Sequence, residues 1–229
     1  MSSAKQSTDF RHSGAREAIL QRIRKATNGK SNSDTAHAAW SSIERNYRTH
    51  GQLAAAATLH LFEERLREYD AGVYHADEAE AATAIRQILA QRKMQRVLVP
   101  DGLPAGWLVP EVEFVVDHNL STGELDAITG VMTGATIAIA ETGTVVLQAG
   151  PGQGRRAVTL IRDYHLCIVR TGDVVETVVE AMRLLQPTST LPTTFFSGPS
   201  ATADIEMTRI KGVHGPRFLD VLLLSNEKA

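Results

Sequence analysis

The residue types best suited to chemistry are gathered in the last quarter of the chain. Asp204 and Glu206 are separated by one apolar residue, and His214 follows shortly after them. Side chains two residues apart point the same way in an extended segment, so the two carboxylates would face one ligand together. Carboxylates and an imidazole can act as general acids and bases or can recognise a ligand. The alternative that these residues leave open is a cap and a surface carboxylate beside ordinary bends.

The surroundings of the acids favour ligand recognition over metal binding. Two Gly-Pro pairs, at 198–199 and 215–216, impose tight backbone geometry on the segment. No second histidine stands three or four residues from His214, which is the spacing of a helical zinc pair, so no metal site is predicted. Arg217 adds positive charge that suits a small anionic ligand or, alternatively, neutralises the acids.

A second polar stretch lies well upstream of the first. Glu141 ends a predicted strand and begins a turn whose other residues are Thr142, Gly143 and Thr144. Sheets of α/β proteins place their ligand crevice at the carboxyl ends of strands. Glu141 is therefore predicted to point into a pocket as a base, a nucleophile or a hydrogen-bond acceptor. The alternative is a structural carboxylate that binds the amides of its own turn.

A glycine-rich loop at 150–156 is the third candidate. Gly152 and Gly154 leave backbone amides accessible, and Arg155 and Arg156 add two cations, so the loop could hold a phosphate or a carboxylate. The loop matches neither the Walker pattern nor the dinucleotide fingerprint. An ordinary flexible connection is the equally open alternative.

Two of these stretches together resemble a known family. Ala140–Thr144, with Ser200–Glu206 and Gly212–Pro216, resembles the paired signature of the LUD domain in the lactate utilization protein C family. The chemistry of the residues gives three catalytic candidates, Glu141, Asp204 and His214. The ligand-binding candidates are Thr142, Gly143, Thr144, Gly152, Gly154, Arg155, Ser200, Glu206 and Arg217.

The resemblance also implies a function. It implies the cluster-free subunit of a bacterial system that oxidises L-lactate to pyruvate together with iron-sulfur partner proteins. The only cysteine, Cys167, lies in an apolar run and cannot supply the thiolates of a cluster, so no cofactor is expected in this chain. One alternative is a free-standing enzyme of CoA-transferase or isomerase type that uses Glu141. Another is an organising protein whose N-terminal arm docks on a partner.

Composition excludes several other classes of protein. The chain has 229 residues, 43% of them hydrophobic, which is enough for one substantial core. The net charge is -2 and the sequence has no run of basic residues, so it offers no positively charged surface of the kind that binds nucleic acid. No apolar run approaches the roughly 20 residues that cross a bilayer, and the N-terminus lacks a signal-peptide core. A cytoplasmic location is therefore expected.

The spacing of apolar residues predicts the architecture. Residues 1–50 read as a polar and helical arm, and residues 51–229 read as one α/β domain. Helices alternate with short β-branched strands, a pattern typical of a three-layer sandwich around a mostly parallel sheet. The resemblance narrows this to a fold like that of the NagB/RpiA/CoA-transferase group. Asp173 is expected to cap the helix that follows it. Predicted strands are 72–74, 96–100, 112–116, two within 137–147, 165–169, 194–197 and 219–224.

Overall fold

The computed structural model describes residues 13–26, 33–160, 163–203, 209–212 and 215–225. The chain divides into two compact units, residues 1–47 and residues 48–229, where the sequence predicted a boundary at residue 50. The first unit contains α1 (Ser13–Ala26) and α2 (Ser33–Ser42). Just after α2, Arg45 stacks on the ring of Trp40 at 4.8 Å.

The second unit alternates helices and strands. Its helices are α3 (Ala55–Glu68), α4 (Ala81–Gln91), α5 (Thr122–Asp126), α6 (Arg156–Leu160) and α7 (Val178–Leu185). The strands before the glycine-rich loop are β1 (Gly72–Asp77), β2 (Arg96–Val99), β3 (Glu113–Val116), β4 (Gly130–Gly134), β5 (Ile137–Ile139) and β6 (Thr144–Gln148). The strands after it are β7 (Tyr164–Arg170), β8 (Val174–Val175), β9 (Thr193–Ser197), β10 (Ala201–Ala203), β11 (Arg209–Lys211) and β12 (Phe218–Ser225).

Within the described residues, six strands form the main sheet in the order β1-β12-β7-β4-β2-β3. All neighbouring strands run parallel. The neighbouring strands β7 and β12 lie inside the sheet and are buried on both faces, which explains their continuous apolar sequences. The predicted parallel α/β sheet is confirmed.

Side chains of β12 alternate between the two sides of this sheet. Leu222 and Leu224 join the core beneath α4. Leu223 instead packs with Phe62 of α3 in the core on the opposite side. Alternation of side chains along a strand is what allows one strand to serve two cores. The sheet is therefore covered on both faces, which confirms the predicted three layers.

A smaller sheet, with strand order β8-β5-β6-β9 in the described part of the chain, is the main departure from the sequence prediction. The strands β5 and β6 form an antiparallel hairpin, and β9 pairs antiparallel with β6. Val145 faces the core shared with α3, whereas Val146 packs against Ala181 of α7. The two predicted strands within 137–147 exist, but they belong to this second sheet.

The start of α7 also differs from the prediction. The cap is Thr177, whose Oγ1 accepts from the amide of Glu180 at 3.2 Å, while the Glu180 carboxylate accepts from the amide of Thr177 at 2.9 Å. The predicted cap, Asp173, was wrong because the two residues that follow it, Val174 and Val175, extend as β8 and pair with β5. β-branched residues favour such an extended segment. No described helix is long and apolar enough to cross a membrane.

Candidate ligand-binding cavity

A cavity of about 280 Å³ lies at the amino ends of β7 and β12. His165 and Leu219, the second residues of these two strands, form its floor together with Phe196 from the end of β9. Arg156 and Thr159 of α6 form a further wall. The cavity is thus located at the opposite end of the main sheet from the carboxyl-end crevice expected from the sequence.

The two Gly-Pro pairs close the cavity from one side. Gly198 has a φ of +77°, which allows the chain to turn sharply at the end of β9. The amide of Ser200 donates to the carbonyl of Pro216 at 2.7 Å, so the two segments are joined directly. Pro199, Ser200, Gly215 and Pro216 all line the cavity. The C-terminal motif is therefore brought to this site by its backbone.

Arg156 supplies the positive charge of the cavity. Its Nη1 donates to Thr159 Oγ1 at 3.2 Å, and no carboxylate pairs with it among the described residues. The aromatic rings of Phe195 and Phe196 also line the cavity. A guanidinium without a counter-charge beside apolar groups attracts an anion.

His165 is a buried polar group of the cavity, with 2% of its surface exposed. Its Nε2 lies 2.8 Å from Thr133 Oγ1 on the neighbouring strand β4, and its ring centroid lies 5.4 Å from that of Phe196. Burial lowers the pKa of His165 to about 3, and the charge of Arg156 acts in the same direction. The imidazole is therefore neutral at physiological pH and acts as a hydrogen-bonding group.

The Ala140–Thr144 stretch reaches the cavity wall only through hydroxyl groups. Thr144 Oγ1 lies 2.7 Å from Ser197 Oγ, which lines the cavity, and also 2.7 Å from Thr142 Oγ1. Gly143 has a φ of +58°, and the hairpin turn there lies close to the backbone of α3. Thr142 and Thr144 are thus positioned to hold the wall and do not line the cavity themselves.

Glu141 lies on the hairpin turn, outside the residues that line the cavity. Its carboxylate forms an ion pair with Arg48. The sequence argument placed it in a crevice because a parallel strand was expected there, whereas β5 and β6 run antiparallel in the second sheet. Its catalytic role stays a prediction, and its contacts are those of a structural carboxylate.

The remaining C-terminal candidates are placed as follows. Asp204, Glu206 and His214 lie outside the described residues. Arg217 is half-exposed and forms an ion pair with Asp163, away from the lining of the cavity. Its charge is therefore already balanced by a carboxylate.

The glycine-rich loop uses its donors within the protein. The amide of Gly152 donates to the carbonyl of Asp101 at 2.7 Å, and the amide of Gly154 donates to that of Gly150 at 2.8 Å. Arg155 forms two hydrogen bonds with Asp117, at 2.7 and 2.9 Å, and thereby lowers the pKa of that carboxyl group. These contacts favour an ordinary connection over an anion-binding loop.

Glu176 is a buried charge that the sequence analysis missed. Only 5% of it is exposed, and it accepts hydrogen bonds from the amides of Gln52 and Leu53 at 2.5 and 2.6 Å and from Arg48 at 2.7 Å. It fastens the segment before α3 to the start of α7. The sequence signal that could have identified Glu176 is its position directly before Thr177, the residue that begins the capping box of α7.

The fold and the position of the two motifs define an α/β protein of the LUD-domain class. The family model described as LUD domain matches residues 123–224. A crystal structure of a DUF162 family protein from Deinococcus radiodurans aligns with a TM-score of 0.66 at 37% identity, over 76% of this chain and 99% of that one.

Curated relatives identify the family more closely. The lactate utilization protein C of Deinococcus radiodurans is 43% identical over 175 residues, which cover 75% of this chain and 82% of that protein. The protein of the same name from Halalkalibacterium halodurans is 41% identical over 91 residues, or 37% of this chain and 39% of that protein. The chain belongs to the lactate utilization protein C family, as its sequence motifs predicted.

Proposed function

We propose that this chain takes part in lactate utilization, as the cluster-free subunit of a system that oxidises L-lactate to pyruvate. The observation that carries the proposal is the 43% identity to a lactate utilization protein C across 82% of that protein. Identity at this level over most of both chains supports a shared role in the cell.

The electrons from lactate leave through partner proteins in this proposal. An iron-sulfur cluster needs several thiolates, whereas this chain has the single cysteine Cys167. Cys167 is fully buried in β7, and burial raises the pKa of its thiol to about 12. Such a thiol is a packing group, which supports placing the clusters in separate iron-sulfur lactate-utilization proteins.

The alternative of a free-standing CoA-transferase or isomerase gains no support from the geometry. That chemistry requires a carboxylate that can reach a substrate. The carboxylate of Glu141 is engaged by Arg48 and lies outside the lining of the cavity.

Deletion of the gene in the source organism tests the proposal. We expect loss of growth on L-lactate and normal growth on pyruvate, because only the step from lactate to pyruvate is removed. A tagged copy purified from lactate-grown cells should carry along cysteine-rich iron-sulfur proteins, identified by mass spectrometry and by visible absorption of the clusters. Normal growth of the deletion strain on L-lactate would contradict the proposal, as would equal loss of growth on both acids.

A further inference from the structure

We propose that the chain forms a two-fold symmetric dimer in which the edge strand β9 pairs antiparallel with β9 of a second copy. Phe195 lies at the two-fold axis of this pairing. The proposal is independent of the proposed function, because it concerns how two copies of the chain meet and not what the chain acts on.

Within the described residues, β9 is hydrogen-bonded to another strand along one side only, where it pairs with β6. The amide of Ala149 donates to the carbonyl of Pro192 at 2.9 Å, one step beyond the paired residues of the two strands. Residues of an antiparallel pair alternate between bonding across the pair and bonding outward. Thr194 and Phe196 therefore bond to β6. The backbone groups that point away from β6 are those of Thr193, Phe195 and Ser197, and no described residue bonds to them.

The strand β9 lacks the features that protect the edges of sheets. Its sequence, Thr-Thr-Phe-Phe-Ser, contains neither a charged residue nor a proline. Natural edge strands usually carry such residues, or are very short, because an unprotected edge pairs with other strands. The other edge strands of the two larger sheets follow this rule: β1 contains Asp77, β3 begins with Glu113, and β8 has two residues.

The surface beside this edge is apolar and uncharged. Phe195 is 47% exposed, and Met182 of α7 is 54% exposed. Both line a groove of about 360 Å³ whose described lining contains no ionisable residue; the other lining residues are Leu185, Gln186, Ser189, Leu191 and Thr193. An exposed apolar patch of this kind marks an interface. A two-fold axis brings each group near its own copy, so an uncharged patch can meet itself without repulsion.

The outward-facing residues set the register of the pairing. An axis at Phe195 pairs this residue with Phe195 of the second copy, and it pairs Thr193 with Ser197. Each of these pairs exchanges two backbone hydrogen bonds across about 5.5 Å between Cα atoms. Residues directly opposite each other lie on the same face of a sheet, so the two phenyl rings form an aromatic cross-strand pair.

The second copy also adds a wall to the cavity at the amino ends of β7 and β12. Phe195 and Phe196 point to opposite faces of β9, yet both line that cavity. The cavity therefore reaches the free edge of the strand. Ser197 lines it as well and faces Thr193 of the second copy in this register. Each chain thus contributes to the cavity of the other.

Sedimentation velocity on the purified full-length chain, over a series of concentrations, tests the dimer. We expect a reversible species of twice the 24.9 kDa of one chain. Phe195→Lys and Phe195→Glu should each weaken dimerisation by at least about tenfold, because two like charges then lie directly opposite each other. An equimolar mixture of the two variants should restore the dimer, since opposite charges then meet. Such recovery requires that position 195 face itself, so it distinguishes this interface from any other.

Leu184→Lys is the matched control. Leu184 is 61% exposed on the same helix, α7, but does not line the groove, so its replacement should leave the dimer unchanged. Recovery on mixing also shows that the two Phe195 variants are folded. A wild-type chain that stays monomeric at every concentration would overturn the proposal. Dimers of either Phe195 variant as tight as those of the wild type would do the same, as would a mixture that remains monomeric.

Discussion

His165 is expected to make the stability of this chain pH-dependent in a defined way. Its pKa in the folded state is about 3, against about 6.5 for an unperturbed histidine. Between these two values the unfolded chain binds a proton that the folded chain does not. A depressed folded pKa therefore contributes stability that is fully present above pH 6.5 and is lost progressively as the pH falls toward 3.

The size of the effect follows from linkage. From pH 7 to pH 5 the imidazole of the unfolded chain changes from mostly neutral to mostly protonated, while the folded imidazole stays neutral. Integrated from pH 7 to pH 5, the extra proton bound by the unfolded chain is equivalent to one full proton over about 1.4 pH units. The free energy of unfolding is therefore lower at pH 5 by about 2 kcal/mol. This loss is large beside a typical total stability of about 5–15 kcal/mol.

The assay is urea unfolding at pH 7 and pH 5, followed by the fluorescence of the buried Trp107. The free energy of unfolding of the wild type should fall by about 2 kcal/mol more than that of His165→Gln, which cannot titrate there. His60→Gln replaces an exposed histidine and serves as the control, which should behave like the wild type. The same pH dependence in the wild type and His165→Gln would refute the assignment of a neutral buried imidazole.

Two buried carboxylates should show their structural roles when they are neutralised. Glu176→Gln should lower the free energy of unfolding by about 2–3 kcal/mol, because two backbone amides lose a charged acceptor; Glu113→Gln, at an exposed ion pair, should lower it by less than about 1 kcal/mol. Asp220→Asn should lower the free energy of unfolding by about 3 kcal/mol, because it breaks the ion pair of the buried Asp220 with Arg92. This value is at the lower end of the range for a broken buried ion pair, since Arg92 is 33% exposed. Urea denaturation at pH 7 measures these changes, and losses no larger than that of the control would contradict them.

The sequence predicted the strands β7 and β12 well, but it missed β4 in the main sheet and the short strands β8, β10 and β11. The apolar runs of β7 and β12 are unmistakable because both faces of each strand are buried. The strand β4 was missed because it has glycine at each end and only three residues between them. Its place between β7 and β2 is decided by the packing of the sheet and not by local preference.

The second sheet shows a different limit of pattern reasoning. β-branched residues indicate strands at β5 and β6, but they do not say which sheet each strand joins. The position of Glu141 depended on that choice. Once the hairpin is antiparallel, the rule that ligands bind at the carboxyl ends of parallel strands no longer applies to it.

The cavity shows why single polar residues are hard to assign. The Gly-Pro pairs at 198–199 and 215–216 were recognised because their conformational demands are visible in the sequence. Arg156 was visible only as one of two cations at the end of the glycine-rich loop, and His165 lies in an apolar strand. Their pairing arises only because α6 leads into β7 beside the end of β9.

Pyruvate formation from L-lactate in cell extracts tests the proposed function most directly. Extract from the deletion strain should form little pyruvate, and addition of the purified chain should restore the rate. Addition of the Arg156→Gln variant at the same concentration should restore less. Full activity in the deletion extract, or no recovery after the wild-type chain is added, would contradict a direct role of this chain in lactate oxidation.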